Sequence, residues 1–256
     1  MRIPRVIRVL ALTIGLSAYA HDGRAAHICP EGATDGQSPA RQQAGRQYFE
    51  TAQEALRDSP DPRDRALAAF AGSFALDDRV RAEALARSAA DAAADDMLVQ
   101  WVALRRSQVA SGNYEPMLSR LEQHEPDNAA VWLEVLVRAV YLDDRATADD
   151  ALARMAQSSR FDAKLTELSN AWSQAFVRFP GDPQSPFEAG TTQLVDRVRP
   201  VFEPLLAMCR INPDTGANLD HASACASIGR LLVAGGSPAS TSEAGHILVG
   251  DSPPAL

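Results

Sequence analysis

Apolar positions through the middle of the chain recur at intervals of three and four residues, the spacing that gathers them on one face of a helix. Tyr48, Ala52, Ala55 and Leu56 share such a face. That pattern stops at Ser59-Pro60-Asp61-Pro62, because proline disfavours helix in the residue before it. Pro62 suits the first turn of a second helix, where its missing N–H costs nothing. Helix starts are predicted at Asp61, Asp78, Asp96, Asn113, Asp127 or Asn128, Asp144 and Asp162. Each is an Asp or Asn able to accept from the free amides of a first turn, and each precedes an apolar run of helical spacing. From Ala40 to Phe179 good helix formers dominate, while β-branched runs and Asn-Gly hairpin signals are absent. The fold class this predicts is all-α.

The predicted caps also repeat. Asp61 to Asp96 is 35 residues, Asp96 to Asp127 is 31 and Asp127 to Asp162 is 35, a recurrence close to that of helix-turn-helix arrays. With a three-residue shortening in the middle unit, the second helices align. Ala82, Ala86 and Ala89 then correspond to Tyr114, Leu118 and Leu121, and to Ala148, Leu152 and Met155. The first helices match through Trp101 and Trp132, each five residues after its Asp.

On these residues the chain resembles a tetratricopeptide-like array in degenerate form, over roughly Asp61 to Phe179. Arg105 and Leu136 stand where that family's glycine follows the tryptophan, and the unit beginning at Asp162 has its tryptophan displaced to Trp172. The resemblance implies an α-solenoid of antiparallel helix pairs whose first helices line the inner curve. The inner-face candidates are Leu67, Phe74, Val102, Arg106, Val109, Leu133, Val137, Val140 and Tyr141, an apolar strip relieved mainly by Arg106. Ala129 to Leu142 is apolar nearly all round, with only Glu134 and Arg138 charged, four apart and able to pair on one face. Two explanations stand side by side. The C-terminal region folds back over the strip, as the rarity of large exposed apolar patches suggests, or the strip is an open groove for a partner segment or a lipid chain.

After Phe179 the pattern changes. Pro180 to Pro186 reads as a linker, followed by a helix from Thr192 to Cys209 that Pro200 and Pro204 kink or divide. Another helix is predicted from about Asp220 to Ala234, stopped by Gly235-Gly236, and a short one from Glu243 to Val249. These form a C-terminal cap ending in a disordered tail. The boundaries are then 1–20, 21–39, 40–179 and 180–256.

The first twenty residues read as a secretory signal peptide: Arg2, Arg5 and Arg8, an apolar run from Val9 to Leu16, then Ala18-Tyr19-Ala20. Residues 21–39 carry no periodic face and are read as a flexible mature N-terminus. Export to the periplasm or beyond is the expectation, with no membrane span. Three cysteines then face an oxidising compartment. Cys209 and Cys225 are the favoured pair, because each lies on a helical pattern flanking a turn-rich stretch, and a loop of about 15 residues closed this way contributes roughly 3 kcal/mol. Two buried thiols are the alternative, and Cys29 is left over.

Composition narrows the function. The 256 residues are 46% hydrophobic and 23% charged, enough to build a packed core. Lys+Arg 25 against Asp+Glu 33 gives a net charge of −8 without a basic cluster, which argues against nucleic acid as partner. There is no Gly-rich phosphate loop, G-x-S-x-G elbow, His-Glu-x-x-His helix or Cys-x-x-Cys pair. His221 and Cys225 are spaced as two metal ligands could be, without a third, and His21 with His27 could chelate a copper-like ion only if cleavage exposes His21. Neither reading is preferred: no metal and no cofactor is expected. The acidic pairs Asp77-Asp78, Asp95-Asp96, Asp143-Asp144 and Asp149-Asp150 read as helix-start charges. Arg105, Arg106 and Arg138 could meet an acidic group of a partner, although a paired role is favoured. The expected function is a non-catalytic interaction module or scaffold for an unidentified envelope protein. A carrier of lipid or a small apolar ligand is the alternative, and an enzyme with an unrecognised site comes third.

Overall fold

The computed structural model describes residues 47, 50–71, 76–109, 111–179, 200–210, 219–235 and 239–249. The expected signal peptide, the flexible segment, Cys29, Phe74, the linker at 180–186 and the tail end lie outside them. The described residues fall in one compact unit, Ala40–Leu256. Their regular elements are helices. The helices are α1 (50–57), α2 (Pro62–Ala71), α3 (Leu76–Ala92), α4 (Met97–Arg106), α5 (Tyr114–His124) and α6 (Ala129–Tyr141). There follow α7 (Arg145–Gln157), α8 (Leu165–Phe176), α9 (Glu203–Cys209), a 3₁₀ turn Leu219–His221, α10 (Ala222–Ala234) and α11 (Ala239–Val249). No strand occurs among the described residues, only one isolated bridge between Asn128 and Arg160.

Several predicted caps act as caps. Asp96 accepts from the amides of Leu98 and Val99, Asn128 from Ala130 and Asp144 from Thr147. Asp61 accepts from the amide of Arg63. Asp78 does not start its helix, because α3 already runs from Leu76. Asn113 stands at the predicted position but turns its amide to Arg87 and Glu83. Asp162 accepts from Lys164, and Lys164 takes a left-handed conformation (φ 59°) before α8 begins at Leu165, two residues later than a cap at Asp162 predicts. In α1, Ala52 and Leu56 are buried but Ala55 is exposed, so the predicted face there is narrower.

Consecutive helices pack on one another from α2 to α7, and α2 also packs on α4. All nine residues aligned in the second helices, from Ala82 to Met155, are buried. Alanines such as Ala66, Ala69, Ala86 and Ala90 form much of the core around α2 and α3, and small side chains let helices approach closely. The last turn of α3 has free carbonyls, and Gln100, wholly buried, donates its Nε2 to Ala90 O at 2.8 Å and Ala93 O at 2.9 Å. The turns before α6 and before α8 are stitched by backbone bonds, Ala129 N to Arg160 O at 2.8 Å and Ser159 N to Asp127 O at 3.1 Å.

The C-terminal helices pack onto the end of this series, α9 against α6 and α10 against α7. Helix in the Thr192 to Cys209 stretch is confined, among described residues, to α9, with Pro204 in its first turn and Pro200 outside it. The helix predicted from Asp220 is present, while α11 begins four residues before the predicted Glu243. Helices α10 and α11 cross at glycines. A methyl group on Gly245 would lie 2.8 Å from Gly229 O and 2.9 Å from Val233 N, so the backbones touch only because it is absent. Cys209 and Cys225 form a disulfide with Cα atoms 5.7 Å apart, tying α9 to α10.

Candidate functional site

The chemistry of the predicted strip depends on what covers it, and α8 is what lies there. Its Trp172 meets the Phe70 ring edge-on at 6.4 Å and stacks on Phe176 at 4.5 Å. Arg178, just beyond α8, pairs with Asp64 in α2. Against α4, the residual cavity is only about 10 Å³, lined by Leu98, Trp101, Val102 and Arg105 on one side and Ala163, Lys164 and Leu168 on the other. Trp172 and Phe176 are each 1% exposed.

The predicted strip residues accordingly separate. Leu67, Val102 and Leu133 are core residues. Val109 and Val137 are half-buried and packed against that core. Arg106 donates to Ala69 O at 2.8 Å and Phe70 O at 2.7 Å, closing the last carbonyls of α2, and lies over the Phe70 ring. Tyr141 is exposed, as is Val140. The eight described candidates are therefore not one open surface: six are buried or packed against the core, and Val140 and Tyr141 stand exposed at the free end of α6.

Beneath α8 the interior holds a polar network. Glu134, 4% exposed, takes the Tyr114 hydroxyl at 2.8 Å and the Arg105 guanidinium at 2.6 Å. It does not pair with Arg138 as its spacing suggests, since Arg138 reaches Glu115 at 2.8 Å and lies over the Tyr114 ring. Burial, then the Glu134 charge, pushes the Tyr114 phenol far above its ordinary value. Next to it, buried Glu125 accepts from Trp101 Nε1 at 3.3 Å and Asn128 Nδ2 at 2.8 Å, with Lys164 Nζ at 3.2 Å. Burial draws the Lys164 pKa down, but Asp162 and Glu125 outweigh it, and the value ends above the ordinary one. Asn128 bridges to Asp162 through both halves of its amide, at 2.8 and 2.9 Å. Every acid here meets a cation or donor, so the network locks α4, α5, α6 and the start of α8 and presents no free nucleophile or base.

Outside, Val140, Tyr141 and Leu142 are 44%, 62% and 53% exposed, consecutive at the end of α6. Beside them opens a cavity of about 250 Å³, walled by Ala139, Val140, Ala148, Pro204, Ala207 and Met208 and bordered by Asp143, Asp144 and Arg145. The sequence reading set Val140 and Tyr141 on the same inner strip as Leu67, Val102 and Leu133, whereas they lie apart from those buried residues; it missed the cavity, since α9 forms one wall from sixty residues away. The signal it had was the apolar run continuing to Leu142, past the last turn of a buried helix.

His221 does not form a metal pair with Cys225, whose sulfur is in the disulfide. Its Nε2 lies 3.2 Å from Asp149 and its Nδ1 3.3 Å from Met208 O. His124 ends α5, 3.9 Å from Asp95, as expected of a helix C-terminus. Among the described residues no group of three His, Cys, Asp or Glu side chains could hold a metal, and no helix is long and apolar enough to cross a membrane. Compared with protein-family models, curated proteins and solved structures, the chain finds no match in any of the three.

Proposed function

We propose that this is an exported, tetratricopeptide-like repeat protein that works without catalysis as a protein–protein interaction module, and that it docks its partner at the free end of α6. The observation that carries the docking face is the exposed trio Val140, Tyr141 and Leu142. A soluble surface seldom leaves three consecutive large apolar side chains in water unless something covers them, and tyrosine is among the residues that most often anchor interfaces. Support for the repeat reading comes from the nine equivalent buried positions. It comes also from side-chain bonds spanning one unit, Arg63 to Asp96, Asp127 to Ser159 and Asn128 to Asp162. Export is supported by the disulfide, which persists in oxidising compartments. Carriage of a lipid along the inner face is disfavoured by the space left there, about 10 Å³.

The test is capture from an envelope fraction by the wild-type chain and by a Y141D/L142D variant with unchanged circular dichroism. The expected result is a stoichiometric partner retained by the wild type and lost by the variant. Identical captured proteins, or collapse of helicity in the variant, would overturn the docking face.

A further inference from the structure

The chemistry of the cavity beside Val140 is divided. Its walls are apolar, from Ala139 and Val140 in α6, Ala148 in α7, and Pro204, Ala207 and Met208 in or near α9. Its volume of about 250 Å³ exceeds the roughly 150 Å³ of an engineered cavity that binds benzene. Its border is acidic on balance. Asp144 accepts from the Thr147 amide and hydroxyl, and those bonds, the hydroxyl's first, hold its carboxyl below the ordinary value and therefore ionised. Arg145 leans towards Asp149, 3.8 Å away on the next turn. Among the described residues Arg145 is the one cation on the border and is drawn aside, and Asp143 has no ion pair.

Apolar walls with a surplus negative border fit a flexible aliphatic stem that ends in a positive charge. We propose, resting on the docking face assigned above, that this cavity receives a lysine side chain of the partner protein. Its methylenes lie against Val140, Ala148 and Met208, and its ammonium meets Asp143. The trio at the end of α6 then supplies apolar contact around the inserted residue, and the lysine gives the interface its register.

The experiment uses the full chain with labelled methyl groups, titrated with three blocked amino acids: Nα-acetyl-lysine, Nα-acetyl-norleucine and Nα-acetyl-glutamate methylamides. The expected result is saturable shifts at the Met208 and Val140 methyls with lysine, binding about threefold weaker with norleucine, and none with glutamate. D143N, whose asparagine tolerates the left-handed backbone at this position (φ 58°), should bring lysine down to norleucine's affinity. A207L, which fills the cavity from an exposed position, should abolish the shifts. Glutamate binding more tightly than lysine, equal binding of lysine and norleucine, unchanged affinity in D143N, persistence in A207L, or no shift with any probe would each overturn the proposal. Because the probes are small molecules, failure here leaves the Y141D/L142D capture result standing. Retained capture by that variant beside specific lysine binding overturns the docking face alone.

Discussion

The predicted inner face of α4 and the free end of α6 both come from apolar runs of sequence and meet opposite fates. Around Val102 the chain supplies its own cover, with Leu168 of α8 facing it across a remnant of about 10 Å³ and Trp172 of the same helix packed on Phe70. Around Tyr141 no described element does so, and a cavity of about 250 Å³ opens beside three exposed apolar residues. Hydrophobicity alone therefore does not identify a binding face. What distinguishes the two is whether a later element, placed by polar contacts, comes back to cover the surface. Arg178 with Asp64 and Lys164 with Glu125 hold the two ends of α8 in place, whereas Asp143 and Asp144 lie where a further helix would have to bury them.

The comparison can be broken most forcefully at α8. Trp172→Ala should cost about 3–5 kcal/mol and open the inner face, measured by urea denaturation together with binding of a hydrophobic dye. Little destabilisation and no dye binding would mean that α8 is not a structural cover. Glu134→Leu should cost about 3–5 kcal/mol, because Arg105 and the Tyr114 hydroxyl lose their buried partner. Adding Arg105→Met should restore most of the loss, so a double-mutant cycle reads the coupling directly. Gly245→Ala should cost about 1–3 kcal/mol by forcing α10 and α11 apart, with the loss confined to the C-terminal helices in amide exchange. At the open end, Tyr141→Ser should change stability by less than about 0.5 kcal/mol, since the side chain is already in water. The smallest effect is electrostatic. The Lys164 pKa is raised in the folded state, so its contribution is fully present below the unfolded lysine value and is lost as pH rises through the folded one. In a urea series from pH 9 to 12, Lys164→Met should flatten a small part of the alkaline decline.

Much of the helical frame could be read from local sequence. The caps at Asp96, Asn128 and Asp144 and the nine aligned core positions depend on contacts within a few residues or on helical spacing, which a pattern records. The Cys209–Cys225 pairing was also legible, since both lie on helices joined by a short turn-rich stretch. The failures have one physical source, the distant partner. Arg106 looks like a polar break in a groove and is instead the closing group for carbonyls of α2, 36 and 37 residues earlier. Glu134 and Arg138 are spaced to pair, but each pairs across to another helix, Glu134 with Arg105 of α4 and Arg138 with Glu115 of α5. The cover over the strip was anticipated from the C-terminal region, yet α8 provides it within the stretch assigned to repeats. A hint lay in Trp172, ten residues after Asp162 where the other tryptophans follow at five, because a helix serving another packing role carries its large residues elsewhere.

The most direct test of self-coverage is a nuclear Overhauser measurement between the Phe70 ring and the Trp172 indole in the full chain. Their edge-on contact at 6.4 Å between centroids predicts strong cross-peaks, together with slow exchange of the Leu168 to Phe176 amides. Absence of those cross-peaks, with α8 amides exchanging as fast as a free helix, would contradict the account and return the inner face to solvent.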